Sequence, residues 1–152
     1  MNEVVHTTGL GTRSLETILE ALNAARTRVV VDVRRYGSAA RHPHHAAASL
    51  HAVLRTHGFE VHDLGGLLGG DRPGGFPRHM KSAAFRRGLE RLEALARTGP
   101  TMLICAESDP RRCHRLLLGA ALEERGWRVA HHRATLSERT ARGEMRIVRK
   151  TG

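Results

Sequence analysis

The sequence predicts a three-layer α/β domain in which a mostly parallel sheet of about five strands carries helices on both faces. Short apolar segments alternate with segments of helical periodicity, and the second apolar segment is continuous and β-branched. A strand of that kind is typical of a sheet covered on both faces. The order β-α-β-α-β-α-β-α-β favours parallel strands joined by crossover helices, so the predicted arrangement is Rossmann-like.

The individual elements follow in chain order. The strands are predicted at Val4–Thr8, Val29–Val33, Phe59–Leu64, Thr101–Cys105 and Trp127–His132. The helices are predicted at Ser14–Ala24, His45–His57, Ala83–Arg97 and Arg112–Arg125. Gly58 and Gly126 stand where helices commonly end, because glycine readily adopts the left-handed conformation of a helix C-terminus.

The domain organisation is predicted to be simple. Residues 1–133 form a single α/β domain, and residues 134–152 form a basic C-terminal tail that is an edge strand or partly disordered. The segment Gly65–Pro77 is rich in Gly and Pro and is interpreted as a lid or a poorly ordered loop.

Composition restricts the class of protein. No apolar segment approaches the roughly 20 residues that a membrane span needs, and no signal peptide is evident, so we expect a cytoplasmic protein with no membrane partner. Two cysteines are too few for a secreted disulfide scaffold. The net charge of +10 is compatible either with a GC-rich genome that favours Arg or with attraction to a polyanion.

Ligands of open parallel sheets bind beyond the carboxyl ends of the strands. This rule selects four loops: Gly9–Arg13, Arg34–His45, Gly65–His79 and Glu107–Arg115. Their candidate substrate- or phosphate-binding residues are Arg13, Arg34, Arg35, Tyr36, Arg41 and Arg115. The histidines of the second loop are interpreted as part of a solvated cationic loop that contacts phosphate or substrate. The scattered His6, His51, His57, His131 and His132 are interpreted as structural or exposed.

One cysteine lies just before the last of these loops, and the other lies near its end. Cys105 ends a predicted strand, and Cys113 precedes His114 in the predicted first turn of a helix, where the positive end of the helix lowers a thiol pKa. A nucleophilic or redox thiol, a metal site that includes His114, a disulfide and plain core packing all remain open. No cofactor is predicted, and a metal held by Cys105, Cys113 and His114 is the alternative considered.

Two carboxylates follow predicted strands. Glu107 comes two residues after Cys105, and Asp32 lies in the Val-Asp-Val end of the second strand. A shielded carboxylate at such an edge can act as general acid or base. A buried Asp32 must also be paired, for which Arg34 and Arg115 are candidates, and a purely structural ion pair is the competing interpretation.

Several motifs together resemble the uncharacterised domain-of-unknown-function family 488. They are the segment Thr7–Leu15, Asp32-Val33-Arg34, Arg41-His42-Pro43, Leu68-Gly69-Gly70, the stretch Met80–Leu89 and a Cys-x-Glu-x-x-Pro-x-x-Cys-His-Arg motif from Cys105 to Arg115. The resemblance implies a compact α/β domain with its motifs at one sheet edge, and it adds Gly69 and Gly70 to the candidate site. Leu10 replaces the family's usual His, Gly11 its usual Ser, and His45 a common aromatic residue.

Three hypotheses of function follow. The first is an enzyme acting on nucleic acid or a nucleotide-like phosphorylated substrate, with hydrolytic or glycosidic chemistry such as DNA repair, in which Glu107, Asp32 and His114 supply acid–base groups. The second is a thiol- or metal-dependent enzyme acting on a small anion, with Cys105 or Cys113 essential. The third is a non-catalytic DNA-binding or regulatory module. The oligomeric state is left open.

Overall fold

The structure, a computed structural model, describes residues 3–35, 43–106 and 114–132. Its strands are β1 (Val4–Gly9), β2 (Val29–Asp32), β3 (Glu60–Asp63), β4 (Thr101–Cys105) and β5 (Arg128–His131). Its helices are α1 (Leu15–Ala24), α2 (Ala47–Thr56), α3 (Gly65–Leu68), α4 (Phe76–His79), α5 (Ala83–Ala96) and α6 (Arg115–Glu124), and a 3-10 turn spans Pro43–His45.

The five strands form one parallel sheet in the order β3-β2-β4-β1-β5. Two hydrophobic clusters cover it: residues of α1 and α2 pack on one face, and residues of α3 to α6 pack on the other. The predicted three-layer α/β fold is therefore confirmed. Side chains of β2 alternate between the two faces of the sheet. Val29 and Val31 therefore pack in one cluster, and Val30 packs in the other.

Local sequence signals account for the ends of several helices. Ser14 and Ser82 cap α1 and α5, their hydroxyls accepting the amides of Thr17 at 3.2 Å and Phe85 at 3.1 Å. Gly58 follows α2 with φ of +91°, which fits its predicted position at a helix end. The predicted helix at Arg112–Arg125 appears as α6, which begins at Arg115 after its N-cap residue His114.

The glycine-rich segment departs from the prediction of a lid or poorly ordered loop. It contains α3 and α4, separated by a turn in which Arg72 donates to the carbonyl oxygens of Gly66 at 2.7 Å and Gly69 at 2.8 Å. Helices of four residues are too short to show periodicity in a sequence, and contacts of this kind hold them. The predicted tail of residues 134–152, with its Met145–Val148 strand, lies outside the described residues.

Histidines connect the edge strand β5 to β1. Nδ1 of His6 lies 2.8 Å from Nε2 of His132, and the hydroxyl of Thr7 lies 2.6 Å from Nδ1 of His131. Burial lowers the pKa of His6, which favours the neutral imidazole that such a pair needs. These contacts agree with the structural role expected for the three histidines. Within the described residues, no helix is long and apolar enough to span a membrane.

Candidate functional site

The carboxyl ends of three adjacent strands meet at one edge of the sheet. Asp32 at the end of β2 is in register with Ile104 of β4, and Gly9 at the end of β1 is in register with Cys105. Beyond the strands, the amide of Leu10 donates to the carbonyl of Cys105 at 2.8 Å. The loops that follow β1 and β2 therefore start on either side of the end of β4, at the same edge of the sheet, as the parallel topology predicted.

Asp32 is the centre of the polar contacts at this edge, and its carboxylate is almost completely buried. Oδ2 accepts hydrogen bonds from Nη2 of Arg34 and Nε2 of His51, both at 2.8 Å, and Oδ1 accepts from the backbone amide of Arg34 at 3.0 Å. Burial raises the pKa of Asp32, but the hydrogen bonds from His51 and Arg34 and the charge of Arg34 outweigh burial and lower the pKa overall. Asp32 is therefore held as the anion.

A continuous chain of hydrogen bonds extends from Asp32 to the loop after β1. Nη1 of Arg34 donates to the carbonyl of His45 at 2.6 Å, and Nε2 of His45 lies 2.7 Å from the carbonyl oxygen of Arg13. Arg13 in turn donates to the hydroxyl of Thr8 at 2.7 Å. Each of these five residues is less than 9 % exposed, so the network links β1, β2 and the start of α2 inside the protein.

The sequence interpretation did not place His45 and His51 in this buried network. It treated His45 as part of a solvated loop and His51 as structural or exposed. His51 lies on the inward face of α2 between Leu50 and Leu54, and its ring reaches Asp32. A histidine at an inward position of a helix, facing a strand that ends in Asp, is the signal that could have identified it. The predicted pairing of Asp32 with Arg34 is confirmed.

The thiol of Cys105 faces the other side of the sheet. Cys105 belongs to the cluster beneath α5 and α6, whereas Ile104, the register partner of Asp32, belongs to the cluster beneath α1 and α2. Neighbouring side chains of a strand alternate between faces, so the carboxylate of Asp32 and the thiol of Cys105 point to opposite sides. Cys105 is 1 % exposed, and Cys113 lies outside the described residues.

The glycines of the predicted site allow close packing between backbones. A Cβ atom on Gly65 would lie 1.7 Å from the carbonyl oxygen of Arg34, and one on Gly69 would lie 2.5 Å from the amide nitrogen of Arg35. A Cβ atom on Gly70 would lie 3.0 Å from Nδ1 of His114. The glycines therefore bring the α3 segment against both the chain after β2 and the chain before α6.

His114 is the N-cap of α6, and Arg115 is the first residue of that helix. The ring of His114 lies 5.0 Å from the ring of Phe76 in α4, in an edge-to-face arrangement, and His114 remains partly exposed. Arg115 is 1 % exposed. Arg35, also partly exposed, donates from Nη1 to the carbonyl oxygen of Asp71. Arg35 and His114 are therefore more exposed than the buried Arg13, Arg34 and Arg115, although the Nε2 atom of His114 is itself buried.

The geometry divides the predicted site into two groups. Asp32, Arg34 and Arg13 form a buried network on the α1/α2 side, while Arg35, Gly69, Gly70 and His114 lie together around α3. The four predicted residues Tyr36, Arg41, Glu107 and Cys113 lie outside the described residues. Within the described residues, no group of three or more His, Cys, Asp or Glu side chains could hold a metal ion.

Comparison with known proteins places these motifs in a family. The model of one family, described as Domain of unknown function DUF488, matches residues 14–122, a range that includes the Asp32, Gly69–Gly70 and Cys105–Arg115 motifs. No curated protein and no solved structure matches the chain. Because the match covers more than half of its length, the chain belongs to the DUF488 family.

Proposed function

We propose that the chain is an enzyme that acts on nucleic acid or on a nucleotide-like phosphorylated substrate at the carboxyl edge of its sheet. The observation that carries the proposal is the buried ionic network around Asp32. Burying charged groups costs stability even when they are paired, and ionisable groups with shifted pKa values, such as Asp32, cluster at functional sites. This network lies at the edge where open parallel sheets bind their ligands.

In this proposal the buried network positions the site, and more exposed groups contact the substrate. Arg34 donates from all three guanidinium nitrogens to Asp32 and His45, so its role is to fix the chain that leads to Arg35. Arg35 and His114, both partly exposed and joined through the Gly69–Gly70 segment, would contact a phosphate. The guanidinium group of Arg35 suits that contact because it donates charge-assisted hydrogen bonds.

Glu107 is the proposed acid–base residue. It follows Cys105, the last residue of β4, by two positions, and β4 is flanked by β1 and β2 in the sheet. A carboxylate there would serve hydrolytic or glycosidic chemistry, including excision of a damaged base from DNA. A mechanism that uses the thiol of Cys105 has less support, because that side chain is 1 % exposed and packs in the core.

The test is a substrate screen with matched variants. Duplex oligonucleotides that contain damaged or mismatched bases, and a panel of nucleotides, are incubated with the protein, and products are identified by mass spectrometry. Turnover by the wild type and its loss in Glu107→Gln, with Glu123→Gln of the exposed α6 surface unchanged, are the expected results. Binding without turnover would identify a binding module, and full turnover by Glu107→Gln would remove the assigned acid–base role.

A further inference from the structure

An unbalanced positive charge lies on the surface formed by α4, α5 and the turn between them. Five cations are exposed there: Arg78, Lys81, Arg86, Arg87 and Arg91. None of them forms an ion pair or a side-chain hydrogen bond with another described residue. We call these five residues the basic face.

Carboxylates on the same helices do not neutralise this charge. Glu93 is buried and accepts hydrogen bonds from Nη2 of Arg125 at 2.7 Å and from the indole of Trp127 at 3.0 Å, so its charge is already paired with Arg125. Glu90 is the one exposed carboxylate among residues 76–96, all of which are described. The basic face therefore presents a strong local excess of positive charge to solvent.

Two of these cations are aligned along the axis of α5. The 14 residues of α5 extend over about 21 Å. Arg87 and Arg91 lie one helical turn apart on the exposed side, opposite the buried Phe85 and Leu92. The exposed residue Ala94 has only a methyl side chain, which leaves room for a flat, extended partner beside the two guanidinium groups.

The basic face begins next to the candidate site. Phe76 of α4 packs against His114 with ring centroids 5.0 Å apart, and against Phe85 in the first turn of α5 at 5.6 Å. The first turn of α5 is thus joined to His114 by one intervening ring. A partner bound along α5 would extend to the carboxyl edge of the sheet.

We propose that the basic face docks the phosphate backbone of double-stranded DNA, and this inference rests on the proposed function. Duplex DNA carries one negative charge per about 1.7 Å of its axis, which complements a surface with five exposed cations that form no ion pair with a described residue. Single strands are disfavoured as the partner because binding them relies on exposed aromatic rings, whereas Phe76 and Phe85 are 8 % and 2 % exposed.

The exposed neutral residues distinguish between the two kinds of duplex. They are Pro77, Ala83 and Ala94, none of which can donate or accept a hydrogen bond through its side chain. Recognition of an RNA duplex uses contacts to 2′-hydroxyl groups in addition to phosphates. The basic face offers cations and no exposed neutral hydrogen-bonding side chain, which favours a partner contacted through its phosphates, as in a DNA backbone.

The test measures the salt dependence of DNA binding. A fluorescein-labelled 20-base-pair DNA duplex is titrated with protein at salt concentrations from 50 to 200 mM, and anisotropy gives the Kd. The variant Arg87→Gln/Arg91→Gln is compared with Arg26→Gln/Arg128→Gln. The second variant removes the same charge from exposed positions near the amino ends of β2 and β5. Circular dichroism verifies that both variants are folded.

Loss of two phosphate contacts makes the negative slope of log K against log salt less steep by about 1.8 and weakens binding on the order of 10- to 100-fold at 0.1 M salt. We expect this change in the α5 variant and a change of less than about threefold in the control. Equal effects in both variants, or no effect in either, would overturn the docking surface while leaving the proposed reaction intact. Preference for a matched RNA duplex would overturn the choice of DNA.

An absence of DNA binding by the wild type at 50 mM salt would also overturn the docking inference. The proposed function has a separate readout, because turnover of nucleotides in the substrate screen does not depend on α5. Turnover without duplex binding would therefore reject the basic face alone, whereas binding through the basic face without any turnover would reject the proposed enzyme.

Discussion

Replacing Asp32 by Asn tests the buried network directly, because it removes the charge and keeps the shape of the side chain. In the wild type, Oδ2 accepts from both Arg34 and His51 at 2.8 Å. In Asp32→Asn, an NH2 group, which donates hydrogen bonds, replaces one of the two carboxylate oxygens. Both oxygen positions face donors, so the NH2 group has no acceptor there. Arg34, which is 7 % exposed, would then be a buried cation without its anion.

The expected loss of stability is the free-energy cost of leaving one partner of a buried ion pair without the other. Removing such a partner typically costs about 3–5 kcal/mol. For a domain of this size, 1 kcal/mol corresponds to about 2–4 °C in Tm, so we expect the Tm of Asp32→Asn to fall by roughly 6–20 °C. The control is Glu60→Gln, which breaks the exposed pair of Glu60 with His62 and should cost about 1 kcal/mol or less.

The pH dependence of this difference has a definite sign. The pKa of Asp32 is lower in the folded protein than in the unfolded chain, so its contribution to stability is complete above the unfolded pKa of about 4 and is lost as pH falls through the folded pKa. Urea unfolding at pH 7 and at successively lower pH should show the gap between wild type and Asp32→Asn narrowing only below about pH 4. A gap below 1 kcal/mol at pH 7, or one that widens in acid, would refute the reasoning.

Three further predictions concern packing around the site. Gly65→Ala should cost about 3 kcal/mol or more in urea unfolding, because its Cβ would lie 1.7 Å from a backbone carbonyl, whereas Gly66→Ala, with no atom within 4 Å, should be neutral or slightly stabilising; equal effects would contradict the close packing. Glu93→Gln should lower stability by about 1–3 kcal/mol and alter tryptophan fluorescence, while Glu90→Gln on the exposed surface should do neither. Iodoacetamide should leave Cys105 unmodified in the folded protein and label it after unfolding, as read by peptide mass spectrometry; rapid labelling of the native protein would contradict its burial.

The fold was predictable because its signals are local and repeated. Three consecutive valines from Val29, the glycines at two helix ends and the apolar stripe of α5 each indicated an element, and their alternation indicated a parallel sheet. The pairing of Asp32 with Arg34 was also predictable, since a carboxylate inside a buried strand needs a cation close to it. The short helices α3 and α4 were not, because tertiary contacts rather than periodicity hold them.

The distribution of the site over both faces of the sheet could not be read from the motifs alone. The sequence placed Asp32 and Cys105 at the ends of strands, but whether they face each other depends on the register between β2 and β4. That register pairs Asp32 with Ile104 and sends Cys105 to the other side. The role of His51 depended in the same way on the angle at which α2 crosses β2.

The most direct test of the central claim is a map of where a phosphorylated ligand binds. Amide chemical-shift changes in 15N-labelled protein, titrated with a short DNA duplex and separately with a nucleotide, report binding residue by residue. We predict that both titrations shift the amides of Arg35, Gly69, Gly70 and His114 at the carboxyl edge of the sheet. Shifts confined to the opposite edge, around Glu3, Arg26 and Thr98, would contradict the account.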